Sequence, residues 1–171
     1  MSLDCSASIG VFTGFRLPDQ VEVDNDLSES IVGALQRDGL IEIELNEDQK
    51  VVLEMAYRAS HRFFRLPQEK KSLLVNDGGY SGYVSSGEEM TDGIPDYSEI
   101  FTVTRDLPLM DPREWRDLPF QDTCPWPNDD YKGAMQNAMS MMGGINEKLL
   151  KLTTLGLHLK PTSLTEFTRD G

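Results

Sequence analysis

Apolar positions recur every three or four residues along two long stretches of this chain and alternate with acids along a third. Val52, Met55, Ala56, Ala59 and Phe63 fall on one helical face, predicting a helix to about Phe64. Asn46 precedes it and Gln49 follows three residues later, the spacing of a capping box. Met135, Met139, Met142, Ile145, Leu149 and Leu152 predict a second, longer helix, with the methionines as core filler. It begins near Asn128-Asp129-Asp130, where acids suit a helix N-terminus, and ends at Gly156 or at Lys160-Pro161. Gly143-Gly144 marks a place for a kink in its middle. A shorter helix is predicted from about Leu27 to Arg37, with Ile31, Ala34 and Leu35 on one face and Gly39 at its left-handed end.

The alternating stretch is LIEIEL, residues 40–45, a half-buried strand with Ile41, Ile43 and Leu45 facing the core. GVFTGF at 10–15 and EIFTV at 99–103 also read as strands. Pro67 opens a short helical turn in PQEKKSLL. Residues 76–98 break every period: five glycines fall within 78–93, and the segment reads as a long irregular connection, a kind that usually carries function. Residues 105–130 hold five prolines and read as loop. The order is strand, helix, strand, helix, glycine-rich loop, strand, long helix, a mixed α/β class. Residues 1–8 are expected to be a disordered N-terminus and 9–171 a single region.

Composition narrows the function. The chain has 171 residues, 39% hydrophobic and 26% charged, an ordinary globular balance. Its net charge of −13 argues against nucleic acid and anionic membrane as partners. No run of apolar residues is long enough to span a bilayer, and MSLDCSAS lacks the basic and apolar regions of a secretory leader. A cytoplasmic location is the expectation. Two unpatterned cysteines, Cys5 and Cys124, suit a reducing compartment. The acidity is local: residues 77–130 contain 13 Asp or Glu, 3 Arg and no Lys. Such a run is either a solvated face or a place where one or two acids receive a cationic substrate.

Familiar chemistries are missing. GGYSG has neither the dinucleotide nor the P-loop spacing, and VSSGEE lacks the first glycine of a nucleophile elbow. His61 and His158 are the two histidines, and neither stands in a His-x-Asp pair. Cys124 has no histidine near it in sequence, and Glu88-Glu89 is either an acid–base pair or solvated loop charge. Trp115, Trp126, Tyr80, Tyr83 and Phe101 either line a pocket or anchor loops to a core.

Four blocks in order carry a resemblance: YSGYVSSGEEMTDGIPDYSEIFTV at 80–103, CPWPNDDY at 124–131, EKLLKLTTLGLHL at 147–159 and LTEFTRDG at 164–171. LQRDGLIEIEL at 35–45 adds a weaker helix, Asp-Gly, strand opening. Over about residues 27–171 the chain resembles the N-terminal part of the ethylene-forming members of the 2-oxoglutarate- and iron(II)-dependent dioxygenases, within the isopenicillin-synthase-like family. The resemblance implies a double-stranded β-helix (jelly-roll) fold, of which these residues form the N-terminal helical buttress, with the jelly roll incomplete within them. It implies Fe(II) and 2-oxoglutarate as cofactor and co-substrate, held mainly by residues beyond Gly171, with O2 and L-arginine as the other small molecules. Ethylene formation or arginine-type hydroxylation is the implied activity, and a monomer the implied state; a non-catalytic fragment is the alternative from another class. By match to the arginine-binding loop, Glu89 takes the guanidinium, Thr91 adds a hydroxyl contact and Met90 contributes backbone.

Overall fold

A computed structural model describes residues 12–21, 25–76, 79–104, 106, 122–160 and 162–164. It divides into two compact units, Met1–Lys50 with Met139–Gly171, and Val51–Ala138. The disorder expected for 1–8, and the positions of Cys5 and Trp115, lie outside the described residues.

In the first unit, β1 (Gly14–Phe15) and β2 (Glu42–Ile43) pair in parallel, joined by α1 (Asn25–Asp38). Parallel neighbours need a crossover, and the helix supplies it. Gly39 closes α1 at φ +70, its N–H donating to the Leu35 carbonyl at 2.9 Å. The strand expected over 40–45 shortens to two residues because its partner is short. The amides of Glu42 and Glu44 donate to the carbonyls of Thr13 and Phe15, at 3.1 and 2.9 Å. Ile41 and Ile43 face as expected, packing on the core formed by Phe15, Ile31, Ala34 and Leu152; Leu45, expected with them, is half-buried, and Leu40 is exposed. Burying Ile31 and Leu152 fully contributes roughly 2 kcal/mol each.

The long helix α4 (Asp129–Gly156) runs unbroken through Gly143-Gly144. It ends in a Schellman motif. The N–H of Leu159 donates to the Thr154 carbonyl and that of His158 to the Leu155 carbonyl, with His158 itself left-handed at φ 54. Gly156 is needed for a different reason than chain reversal: a Cβ there would stand 2.3 Å from the Ser28 carbonyl oxygen. Ile145 and Leu152 are buried, but Met139 and Met142 are nearly half exposed, so those two methionines lie outside the core that the described residues form.

In the second unit, α2 (Glu47–Phe64, its first turn in the other unit) presents Ala56, Ala59 and Phe63 inward. Met55, expected on that stripe, stands 55% exposed, because the buried face follows the 56–59–63 row and leaves position 55 at its edge. The capping box forms as expected: Asn46 Oδ1 accepts from the Gln49 amide and Gln49 Oε1 from the Asn46 amide, both at 2.9 Å. After Pro67 come α3 (Gln68–Lys71) and a single 3-10 turn, Ser72–Leu74. Strands β3 (Gly82–Val84) and β6 (Ile100–Thr102) pair antiparallel, with Tyr83 opposite Phe101. The connection between them, expected to be irregular throughout, contains a hairpin of β4 (Met90–Thr91) and β5 (Ile94–Pro95). Asp92-Gly93 forms its two-residue turn, both residues at positive φ (51 and 79), the conformation that matches strand twist.

Phe63 is the hub of this unit. Its ring meets Phe101 at 4.9 Å, Phe64 at 5.1 Å, Tyr131 at 5.5 Å and Tyr83 at 6.0 Å, all edge-on. Such pairs add stability beyond the area they bury.

Candidate functional site

The acidic excursion 85–98 leaves the core at Val84 and returns at Ile100, the last matched pair of the β3–β6 ladder. Its base is fixed from several directions. Lys71, only 5% exposed, places Nζ against Glu99 Oε1 and over the Tyr83 ring at 5.5 Å. The Tyr83 hydroxyl donates to the same Glu99 oxygen, and lies 2.9 Å from Gln68 Oε1. The hydrogen bonds from Lys71 and Tyr83 hold the Glu99 carboxyl below the usual carboxylate range, against the opposing effect of burial. Burial, reinforced by the Glu99 bond, pushes the Tyr83 phenol up.

A second carboxylate ties the approach to β3. Asp122 Oδ2 accepts from the Ser81 amide (2.9 Å), the Ser81 hydroxyl (2.8 Å) and Asn76 (3.0 Å), and Oδ1 accepts from Thr104 (2.6 Å). Burial opposes its ionisation, but the bonds from Thr104 and Ser81 outweigh that, and its pKa is lowered. Asp106 does the same beside it, taking Trp126 Nε1 at 2.8 Å, the Cys124 amide at 3.0 Å and Lys132 Nζ at 2.8 Å. Burial and these two acids push the Cys124 thiol up to about 12, so it is a packed, unreactive group.

The tip is the opposite. Residues 86–98 are all exposed, including Met90, Ile94 and Tyr97. No Lys or Arg occurs between 77 and 104. Glu88 is engaged locally, accepting from the Ser85 hydroxyl and amide, which lowers its pKa. Asp96 Oδ1 accepts the Ser98 amide at 3.2 Å. Glu89 and Asp92 have no side-chain partner among the described residues. Backbone bonds hold the Glu89 stretch in place: the Asp96 amide donates to the Glu89 carbonyl at 2.8 Å, and the Gly87 amide to the Asp96 carbonyl at 2.7 Å. Glu89 stands in the bend that leads into β4, immediately before Met90 and Thr91.

The structure thus places Met90 and Thr91 on one strand of a hairpin, with Glu89 in the bend just before it; the hairpin's turn chemistry, Asp92-Gly93, was readable in sequence as a hairpin signal. It separates Glu88 from Glu89 by what each touches. It also assigns the aromatics: Tyr83 is buried and Phe101 packs beside it as an anchor, whereas Tyr80 is exposed. Sequence reasoning missed Lys71, Glu99 and Asp122, whose partners lie 16 to 46 residues away. Among the described residues no three His, Cys, Asp or Glu groups converge as metal ligands. His61 is exposed and stacks on Tyr57, and His158 is exposed 4.0 Å from Glu29, so these residues do not fit an iron centre. No helix among them is long and apolar enough to cross a membrane.

Comparisons with known proteins agree with this anatomy. The family described as non-haem dioxygenase in morphine synthesis, N-terminal, matches residues 12–129. A 2-oxoglutarate-dependent ethylene/succinate-forming enzyme of Ralstonia nicotianae is 39% identical over 93% of this chain and 47% of its own length. A homoarginine-6-hydroxylase of Arabidopsis thaliana is 25% identical over 64% of this chain and 34% of its own. The chain therefore spans about half the length, or less, of these curated relatives. In fold it is similar to a 2OG-Fe(II) oxygenase family protein of Caulobacter crescentus (TM-score 0.65, 22% identity, 80% of this chain and 45% of that one). It is also similar to a Neurospora crassa protein solved with alpha-KG (TM-score 0.59, 22% identity, 81% and 43%). From the family match across most of its length, and the identity it shares with the ethylene/succinate-forming relative, the chain belongs to the non-haem dioxygenase family, in that family's N-terminal region.

Proposed function

We propose that the protein is a 2-oxoglutarate- and Fe(II)-dependent oxygenase of the ethylene/succinate-forming type, in which these residues form the helical buttress and carry an L-arginine subsite on the hairpin. The observation that carries the reading is the 39% identity over 93% of the chain with the ethylene/succinate-forming relative. The three two-stranded pairings described here support a jelly roll left incomplete within these residues, with the iron and 2-oxoglutarate sites outside them. Iron(II) with 2-oxoglutarate supplies the oxidative chemistry when bound.

What this chain's residues do is bind and orient. Glu89 is a carboxylate without a side-chain partner among the described residues, in a bend whose carbonyl takes the Asp96 amide. A guanidinium presents planar donors that a carboxylate meets with two parallel, charge-assisted hydrogen bonds. Thr91, two residues on, adds a hydroxyl. The absence of competing Lys or Arg between 77 and 104 leaves that stretch open to an external cation.

A related reading is an amino-acid hydroxylase that forms no ethylene, favoured by the match to a homoarginine-6-hydroxylase. Calorimetry on protein expressed from its complete reading frame tests the shared element. Glu89→Ala is expected to weaken L-arginine binding at least tenfold, the loss of one charge-assisted contact, with iron binding unchanged. Equal arginine affinity in variant and parent contradicts the assignment. Ethylene together with succinate favours the first reading, and succinate alone the second.

A further inference from the structure

Among the described residues the excursion carrying Glu89 has no anchorage of its own. None of residues 86–98 is buried, and its large apolar side chains, Met90, Ile94 and Tyr97, are 59%, 66% and 81% exposed. How it stands on the unit is therefore decided where it joins the core. At the return end stands Glu99, one residue past the excursion. Its carboxylate reaches two elements at once: Lys71 at the end of α3, and Tyr83 in the middle of β3, the strand from which the excursion departs. Lys71 Nζ is held in turn by the Phe64 carbonyl at 3.3 Å, at the end of α2. One side chain thus fastens the departing strand, the returning strand and the helical layer together.

We propose that Glu99 is a positioning residue for the arginine subsite: with Lys71 and Tyr83 it sets the pose in which the hairpin offers Glu89 and Thr91, without touching the ligand. The inference rests on the reading of Glu89 as the guanidinium acceptor. Alternatives in the same region explain less. Asp122 is saturated by Asn76, Ser81 and Thr104 and secures the segment before β3, not the hairpin's return. Glu88 is bound within the excursion itself. A cavity of about 170 Å³ beside Arg62, Phe63 and Tyr131 contains no residue of the excursion.

Glu99→Gln keeps the side chain's length and removes the charge that Lys71 needs. In protein from the complete reading frame, the KM for L-arginine is expected to rise roughly tenfold, with kcat and the KM for 2-oxoglutarate little changed, because misplaced binding groups act on the ligand they hold. Amide hydrogen exchange is expected to quicken most in residues 85–98. Tyr83→Phe removes one of the two bonds and is expected to give the same pattern at smaller size; it carries the test if Glu99→Gln does not fold. Wild-type arginine KM with unchanged exchange in 85–98 overturns the proposal. So does exchange that quickens equally throughout the chain, which marks a general loss of stability. If exchange quickens locally but the wild-type enzyme shows no dependence on arginine, the positioning of the segment stands and the arginine reading falls.

Discussion

The base of the β3–β6 pair and the tip it supports are built on opposite rules. At the base, each acid among the described residues is answered: Glu99 by Lys71 and Tyr83, Asp122 by Ser81, Asn76 and Thr104, and Asp106 by Trp126, Lys132 and the Cys124 amide. At the tip, Glu89 and Asp92 stand unanswered among the described residues, on a hairpin whose backbone is nonetheless hydrogen-bonded. Buried charges must be paired, or their desolvation outweighs what folding gains. Exposed charges need no such partner, so selection for a ligand can keep them free. The contrast separates residues that hold the base together from residues whose loss empties a site.

Breaking the base tests this most severely. Phe63→Ala removes the ring that four aromatic neighbours share, and is expected to lower stability by about 4 kcal/mol. Urea denaturation measures it, and a loss below about 1 kcal/mol would remove Phe63 from the centre of the unit.

Acid comes next. The carboxyls of Glu99, Asp106 and Asp122 are all held below their ordinary values. A lowered folded pKa contributes stability that is fully present above the unfolded value, about 4, and is lost as pH falls through the folded value. Melting temperature is therefore expected to hold from pH 7 to about 5 and to fall steeply below about 4. Glu99→Gln should flatten part of that fall; an identical acid profile in the variant would show that Glu99 adds nothing to it.

A smaller effect belongs to the hairpin turn. Gly93 sits at φ 79 in open space, so Gly93→Ala meets backbone strain and no clash. The expected cost is about 1 kcal/mol, confined to the tip. It should appear as faster amide exchange in 85–98 with the global melting midpoint within a few degrees of the parent. A large global shift would join tip and base into one cooperative element.

Much of the base was out of reach of sequence reasoning, and the reason is distance along the chain. Helical and alternating periods are local, so α1, α2, α4 and the facing of Ile41 and Ile43 were legible. The caps at Asn46 and Gly39 were legible for the same reason. Lys71 and Glu99 stand 28 residues apart, and Asn76 and Asp122 46 apart, and no period announces such pairs. Met55, Met139 and Met142 were misplaced because apolar spacing identifies a face without saying how wide the covered part of it is. The hairpin was misread as irregular because glycine count was weighed above the Thr-Asp-Gly-Ile pattern that specifies a turn. The candidate site itself came from the resemblance: composition showed an acidic stretch, and only the match distinguished Glu89 from its twelve acidic neighbours in 77–130.

The most direct test of the account is product formation by protein from the complete reading frame, supplied with iron(II), ascorbate and 2-oxoglutarate, with and without L-arginine. Headspace ethylene and dissolved succinate are followed for wild type and Glu89→Ala. The account predicts ethylene and succinate that depend on arginine in the wild type, with a much higher arginine requirement in the variant and an unchanged melting temperature. Products that form equally well without arginine, or at the same arginine concentration in both proteins, would contradict it.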